Sequence, residues 1–216
     1  MTTPKLIIFD CDGVLVDSEP ITNAFLLLEL ARYGLHLTMA DTDRLFVGGT
    51  IKGAAEIARS MGADLPNDWV PDYYRRVHAH LTKGVPLIDG VLEVLSEVEK
   101  LNIPHCIVSN GPVEKMQITL GQNGLWDRFQ GRIFSAHTYG TAKPDPELLW
   151  IAARQFSVAP ADCIVIDDSP SGCQGAANAG MPCIGFAEHT NPEKLAATGA
   201  TVIRSMAELP PLLGLT

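Results

Sequence analysis

The sequence predicts an open α/β fold in which a parallel sheet carries helices on both faces and a helical domain is inserted early in the chain. Three observations carry this expectation. Short apolar runs of strand length recur along the chain, and segments of helical spacing separate most of them. One interval, between the first two runs, is much longer and helical in pattern throughout.

Taken in order, strands are expected at Lys5 to Phe9, Pro104 to Ser109, Arg132 to Ser135, Cys163 to Ile166 and Pro182 to Phe186, with a sixth at Ala200 to Ile203. Polar, glycine or proline residues bound each one, as they bound buried strands. In the long interval, Phe25, Leu26, Leu30 and Tyr33, then Ala54, Ile57, Ala58 and Met61, then Trp69, Tyr73, Tyr74 and Val77 recur at helical spacing. After the turn-rich Gly84, Val85 and Pro86, a helix from about Ile88 to Leu101 returns the chain to the second strand. The expected division is a core of residues 1–15 and 84–216 and an inserted helical domain of residues 16–83. In open Rossmann-like sheets, ligands bind outside the carboxyl ends of the strands.

Composition narrows the functional classes. The chain has 216 residues, 46% of them hydrophobic and 19% charged, which is the balance of a globular protein with a sizeable core. A net charge of -9 opposes a broad electrostatic footprint on nucleic acid or anionic lipid, so neither is an expected partner. Small anionic substrates stay compatible, because a metal and a few local cations outweigh distant negative charge inside a cleft. The five cysteines are odd in number and lack CxxC spacing, which argues against zinc and against a disulfide framework. The amino-terminal MTTPKLIIFD lacks the features of a signal peptide, and no apolar run approaches the roughly 20 residues of a membrane span. The cytoplasm is the expected location. No P-loop is present, and no GxGxxG follows a strand. Gly48 and Gly49 in the insert read first as a helix end or turn, with a ligand contact as the alternative.

The chemistry gathers at strand ends. The first strand runs into Asp10, Cys11, Asp12 and Gly13, presenting two carboxylates at what should be the centre of the sheet. A lone Asp there would be an ordinary turn residue. A second one, two positions on, allows one carboxylate to attack while the other carries a proton. Asp is a workable nucleophile toward phosphorus, and an aspartyl-phosphate splits one hard displacement into two easier ones. The fourth strand ends in Asp167 and Asp168, whose mutual repulsion a cation would relieve; Asp10 with one or both of them forms an oxygen-only set suited to Mg²⁺. Asp168 or Ser169 before Pro170 also reads as a helix N-cap, and both readings can hold together. At the end of the second strand, Ser109, Asn110, Gly111 and Pro112 form either a phosphate cradle or a plain N-cap. Lys143, before Pro144, is either a phosphate-directed point charge or an exposed loop lysine.

These pieces occur in chain order: DxDG, Ser109, Lys143, then Asp167 and Asp168. The pattern resembles the haloacid dehalogenase-like hydrolase superfamily over nearly the whole chain. The resemblance implies that Asp10 is the phosphoryl-accepting nucleophile. Asp12 would be the general acid and base and would also bind metal through its backbone carbonyl. Ser109, with Asn110 beside it, and Lys143 would bind the transferring phosphoryl, and Asp167 and Asp168 would hold Mg²⁺. An insert directly after DxD is similar to the small helical cap of the phosphoglucomutase-like and phosphoglycolate phosphatase-like branch. Residues 16–83 would then select the substrate, with Glu19, Gly49, Thr50 and Lys52 as candidate contacts. Thr22 stands where β-phosphoglucomutases carry a characteristic His, which favours hydrolysis over transfer. The second Asp of DxD is absent from true dehalogenases and argues against that chemistry. The stretches CIVSNGPVEKMQ and DCDGVLVDSE are similar to bacterial 6-phosphogluconate phosphatases of this branch, implying a small sugar or sugar-acid phosphate as substrate. The expected activity is a Mg²⁺-dependent phosphatase. A β-phosphoglucomutase-like mutase and a non-catalytic metabolite-binding protein are the alternatives. Oligomeric state is open, and a monomer is compatible.

Overall fold

The computed structural model describes residues 3–46 and 50–215. Strand β1 (Leu6–Phe9) is followed by helices α1 (Glu19–Ala31), α2 (Met39–Leu45), α3 (Ile51–Ser60), α4 (Trp69–Leu81) and α5 (Val91–Lys100). Next come β2 (His105–Ser109), α6 (Val113–Gly121), α7 (Trp126–Phe129), β3 (Ile133–Ser135), α8 (Ala136–Tyr139) and α9 (Glu147–Gln155). The chain then forms β4 (Cys163–Asp167), α10 (Pro170–Ala179), β5 (Cys183–Phe186), α11 (Pro192–Ala196), β6 (Thr201–Ile203) and α12 (Leu209–Leu212).

The strands form one sheet in the order β3-β2-β1-β4-β5-β6, and every neighbouring pair is parallel. The order reverses direction at β1, so the carboxyl ends of β1, β2 and β4 surround the position where open sheets place their ligands. Both side-chain alternations of the central strands are buried. Leu6, Ile8, Cys106, Val108, Cys163 and Val165 pack with Leu148, Leu149 and Ala176 of the flanking helices, and Ile7, Phe9, Ile107 and Ile166 are fully buried on the other face. Burial on both faces is why these strands read as continuous apolar runs.

All six expected strands are present, including the one near Ala200. Several begin one residue later than the apolar run, and two of those runs open on Pro104 and Pro182, which lack an N–H for the ladder. The helix expected from Ile88 begins only at Val91. The Ile88 N–H is committed to Leu15 C=O at 3.1 Å, and Gly90 turns the chain at φ +82°.

By internal contacts the chain divides into two compact units, one running to Asp17 and resuming at Pro86, the other Ser18–Val85. In the first unit the outgoing and returning segments are tied together where Asp17 N–H donates to Pro86 C=O at 2.9 Å. The second unit is built on α1 to α4. Its α4 buries Trp69, Tyr73, Val77 and Leu81, a strict i, i+4 stripe. Helix α2, not resolved as a separate element by the sequence pattern, starts with a capping box between Thr38 and Asp41. Gly48 and Gly49 lie outside the described residues. Among the described residues no helix is long and apolar enough to cross a membrane.

Candidate active site

Asp10 directly follows β1, and its N–H is fixed by Ile166 C=O of β4 at 2.9 Å. The side chain points into a buried cluster of carboxylates. One oxygen from each of Asp10, Asp167 and Asp168 falls within a 4.8 Å set, and all three residues are buried. Three anions so close and so dry need positive charge.

Lys143 supplies part of it. Its Nζ donates to Asp10 Oδ1 at 2.8 Å, to Asp167 Oδ2 at 2.6 Å and to Val108 C=O at 3.1 Å, with only 3% of the side chain exposed. Three donors thus meet three acceptors, and the exposed-loop reading of this lysine is excluded. Burial alone would lower the Lys143 pKa, but the two carboxylates outweigh it and hold the ammonium charged well above its ordinary range. Asp10 is pushed up to about 7, by burial first and by the Asp167 charge, against the pull of Lys143. One lysine therefore leaves the cluster short of cationic charge. This deficit, with an all-oxygen donor set, fits a hard divalent cation such as Mg²⁺ held by Asp10, Asp167 and Asp168.

The surroundings are shaped for the carboxylates. A Cβ at Gly13, which sits at φ +76°, would stand 2.1 Å from Asp168 Oδ2, and one at Gly172 would stand 1.9 Å from Asp167 Oδ2. Asp167 Oδ1 accepts from the Ser169 N–H at 3.0 Å and from the Ser169 hydroxyl at 2.7 Å. Ser169 also caps α10, accepting from Gly172 N–H at 3.0 Å, so the cap belongs to the serine and the aspartates stay in the cluster.

Ser109 is buried at the end of β2, where its Oγ accepts from Gly111 N–H at 3.0 Å. Asn110 is placed differently from the phosphate-cradle expectation. Its side-chain amide is spent on the main chain of Lys143, accepting from the N–H at 2.8 Å and donating to the C=O at 3.0 Å. It clasps the loop that delivers the lysine. Cys11, between the two aspartates, is buried, and its thiol is pushed well above its ordinary pKa by burial and by Asp12 and Asp10. It stays protonated and is no nucleophile.

Asp12 is not a side-chain member of the buried cluster. Its Oδ1 is paired with Lys115 Nζ at 2.8 Å. Burial opposes the Lys115 charge, but Asp12 outweighs it and raises the pKa. Sequence reasoning assigned no role to Lys115. The signal was available, because a lysine in the first turn of a helix opposes the helix dipole and needs a reason to be there.

The remaining candidates belong to the second unit. Glu19 begins α1 and its C=O accepts from the Thr22 hydroxyl at 3.1 Å. Thr50 caps α3 through its hydroxyl, which accepts from Gly53 N–H at 3.0 Å, and Lys52 is exposed on that helix. Gly49 lies outside the described residues.

A parallel sheet whose central strand ends deliver Asp10, Ser109 and Asp167, with a lysine bridging two of the carboxylates, defines a hydrolase built around an acidic strand-end site. The chain belongs to the haloacid dehalogenase-like hydrolases, matching that family over residues 7–186. It is 30% identical over 214 residues to the 6-phosphogluconate phosphatase of Escherichia coli K12, an alignment covering 98% of this chain and 96% of that enzyme. A haloacid dehalogenase-like protein of unknown function from Agrobacterium tumefaciens C58 superposes with a TM-score of 0.85 at 34% identity, over 97% of each chain. A family hydrolase from Deinococcus radiodurans R1, solved with bound phosphate and sodium, gives a TM-score of 0.83 at 31% identity, over 100% of this chain and 98% of that one.

Proposed function

We propose that the protein is a Mg²⁺-dependent phosphatase of small phosphorylated metabolites, with Asp10 as nucleophile and Asp12 as general acid and base. The observation that carries this reading is the buried strand-end cluster, in which Lys143 bridges Asp10 and Asp167 across 2.8 and 2.6 Å. In a chain homologous along its whole length to a phosphatase, that cluster sits at the switch point of the sheet.

In the first step an Asp10 oxygen bonds to phosphorus as the ester P–O bond breaks, and Asp12 gives its proton to the departing alkoxide. In the second, Asp12 takes a proton from water as the water oxygen bonds to phosphorus. The Asp10–phosphorus linkage breaks, phosphate leaves and both side chains return to their starting states. Lys143 and the Ser109 hydroxyl hold the phosphoryl oxygens, while Asn110 fixes the Lys143 loop. The cation, when bound by Asp10, Asp167 and Asp168 with the Asp12 carbonyl, supplies charge neutralisation for the transferring group.

Sugar and sugar-acid phosphates are the proposed substrate class, 6-phosphogluconate among them, on the strength of the similar Escherichia coli enzyme. Substrate choice is assigned to the Ser18–Val85 unit, through Glu19, Gly49, Thr50 and Lys52. Hydrolysis is proposed over phosphosugar transfer because Thr22 stands where β-phosphoglucomutases carry a characteristic His. Four of the five cysteines are buried thiols, which accords with a reducing compartment, and the cytoplasm is the proposed location.

The test is phosphate release from a panel of phosphorylated metabolites that includes 6-phosphogluconate, hexose phosphates, phosphoglycolate and nucleotides. Release is expected from the wild-type chain with Mg²⁺, to vanish with chelator, and to be abolished by Asp10→Asn. Wild-type turnover in Asp10→Asn would overturn the mechanism.

A further inference from the structure

The turn that follows β2 is held by more than its own residues. Ser109 and Ser135 are register partners at the ends of β2 and β3, and both are buried. The Ser135 hydroxyl donates to Gly111 C=O at 2.7 Å. The same oxygen accepts from His137 N–H at 3.2 Å, capping the short helix α8.

Capping needs only an acceptor, so it accounts for a lone pair of Ser135 and not for its proton. The proton goes to the shorter of the two bonds, and a carbonyl oxygen can only accept, so the direction of that bond is fixed. At the other end of the same residue, Gly111 N–H donates to Ser109 Oγ at 3.0 Å. Pro112, next in the chain, has no N–H, and α6 starts after it without a side-chain cap. Asn110 fastens the turn to the Lys143 main chain. Ser135 and Asn110 thus anchor it to two separate segments, the end of β3 and the Lys143 loop. Packing at the turn is close: a Cβ at position 111 would stand 3.3 Å from Ser109 Oγ, so a shift of Gly111 is felt at that hydroxyl.

We propose that Ser135 is a positioning residue that acts through Ser109. Its hydroxyl holds the Gly111 carbonyl and so fixes the turn. The Gly111 N–H then takes one lone pair of Ser109 Oγ, and the Ser109 proton is aimed at a phosphoryl oxygen. The inference rests on the phosphatase reading, in which Ser109 holds that oxygen. Ser135 spends its own hydroxyl on Gly111 and His137, so its effect reaches the substrate by way of the turn.

A double-mutant cycle separates this role from a structural one. It is read as kcat/KM, with Mg²⁺, on the panel ester that the wild-type chain hydrolyses fastest. Ser109→Ala is expected to lower kcat/KM on the order of 10²-fold, the scale of one preorganised donor. Ser135→Ala leaves that donor in place but misaimed, and about tenfold is expected. Once Ser109 is gone there is no hydroxyl left to aim, so the double variant should be no slower than Ser109→Ala alone. A role confined to folding or to capping α8 would instead add its own loss. Inorganic phosphate, as a competitive inhibitor, should bind more weakly to Ser135→Ala than to wild type, and equally to Ser109→Ala and the double variant. Ser135→Cys, close in size and a weak donor, serves for the same cycle if the Ala variant does not fold by circular dichroism. Losses that multiply to about 10³-fold in the double variant, or a Ser135→Ala chain as active as wild type, would overturn the proposal. A Ser109→Ala chain as active as wild type would overturn it together with the role given to Ser109. A wild-type chain that releases phosphate from none of the esters would sink the phosphatase reading on which it rests.

Discussion

Gly172 stands where only a glycine leaves room for Asp167. A Cβ at position 172 would lie 1.9 Å from Asp167 Oδ2 and 2.0 Å from Oδ1, well inside contact distance. Helix α10 thus begins against the back of the carboxylate that Lys143 grips from the front.

Gly172→Ala is therefore expected to displace Asp167 and break its bond to Lys143. Loss of one partner of a buried ion pair costs about 3 kcal/mol or more. Gly175, one turn on in the same helix, is the comparison, since a Cβ there meets Lys143 and Pro144 only at 3.4 Å. Thermal unfolding should show Gly172→Ala clearly destabilised, while Gly175→Ala stays near wild type, helped by about 1 kcal/mol of helix propensity. Equal melting temperatures for the two variants would contradict this account of Gly172.

Lys143→Met should unfold more readily in chelator, by about 3–5 kcal/mol, because it strands Asp10 and Asp167 without their cation. Added Mg²⁺ should narrow the gap, since a divalent ion offers charge to the same carboxylates. Urea denaturation with chelator and with Mg²⁺ measures both. A gap that Mg²⁺ leaves untouched would mean that the three aspartates do not share a metal.

His105 supplies an acid-sensitive contribution remote from the site. Its ring is buried at the start of β2; Nδ1–H donates to Ile103 C=O at 3.0 Å, Nε2 accepts from Arg132 at 3.4 Å, and the Phe129 ring lies edge-on. Burial first, then Arg132 and Arg128, hold its pKa below the ordinary 6.5, against the opposing pull of the Ile103 carbonyl and, after it, of Glu99. The folded chain thus keeps His105 neutral while the unfolded chain binds the proton. Its contribution is complete above about pH 6.5 and is lost as the pH falls from there through the depressed folded value. Unfolding free energies from pH 5 to 8 should rise more steeply for wild type than for His105→Gln. Parallel curves would show that His105 does not titrate differently in the two states.

Much of the molecule was legible before its structure. The strands were readable because a sheet buried on both faces needs uninterrupted apolar residues, and each of the six runs matches an observed strand to within one residue at either end. Asp10, Ser109 and Asp167 were readable as candidates because parallel strands deliver their carboxyl ends to one edge. The start of α5 was misplaced because Ile88, apolar and in helical phase, is held instead by Leu15, about seventy positions away in sequence.

What the amino-acid order determined by itself is the sheet, the helical insert and the set of acidic residues at the strand ends, all of which follow from local periodicity and turn chemistry. Only the tertiary structure decided how those residues are wired. Lys143 reaches Asp10 across 133 positions of chain, Asn110 clasps Lys143 across 33, and Lys115 takes one oxygen of Asp12. No local pattern encodes such contacts, because each depends on side-chain directions set after the strands have packed. Lys143, readable in the sequence either as a phosphate-directed charge or as a loop lysine, is buried between the carboxylates of Asp10 and Asp167.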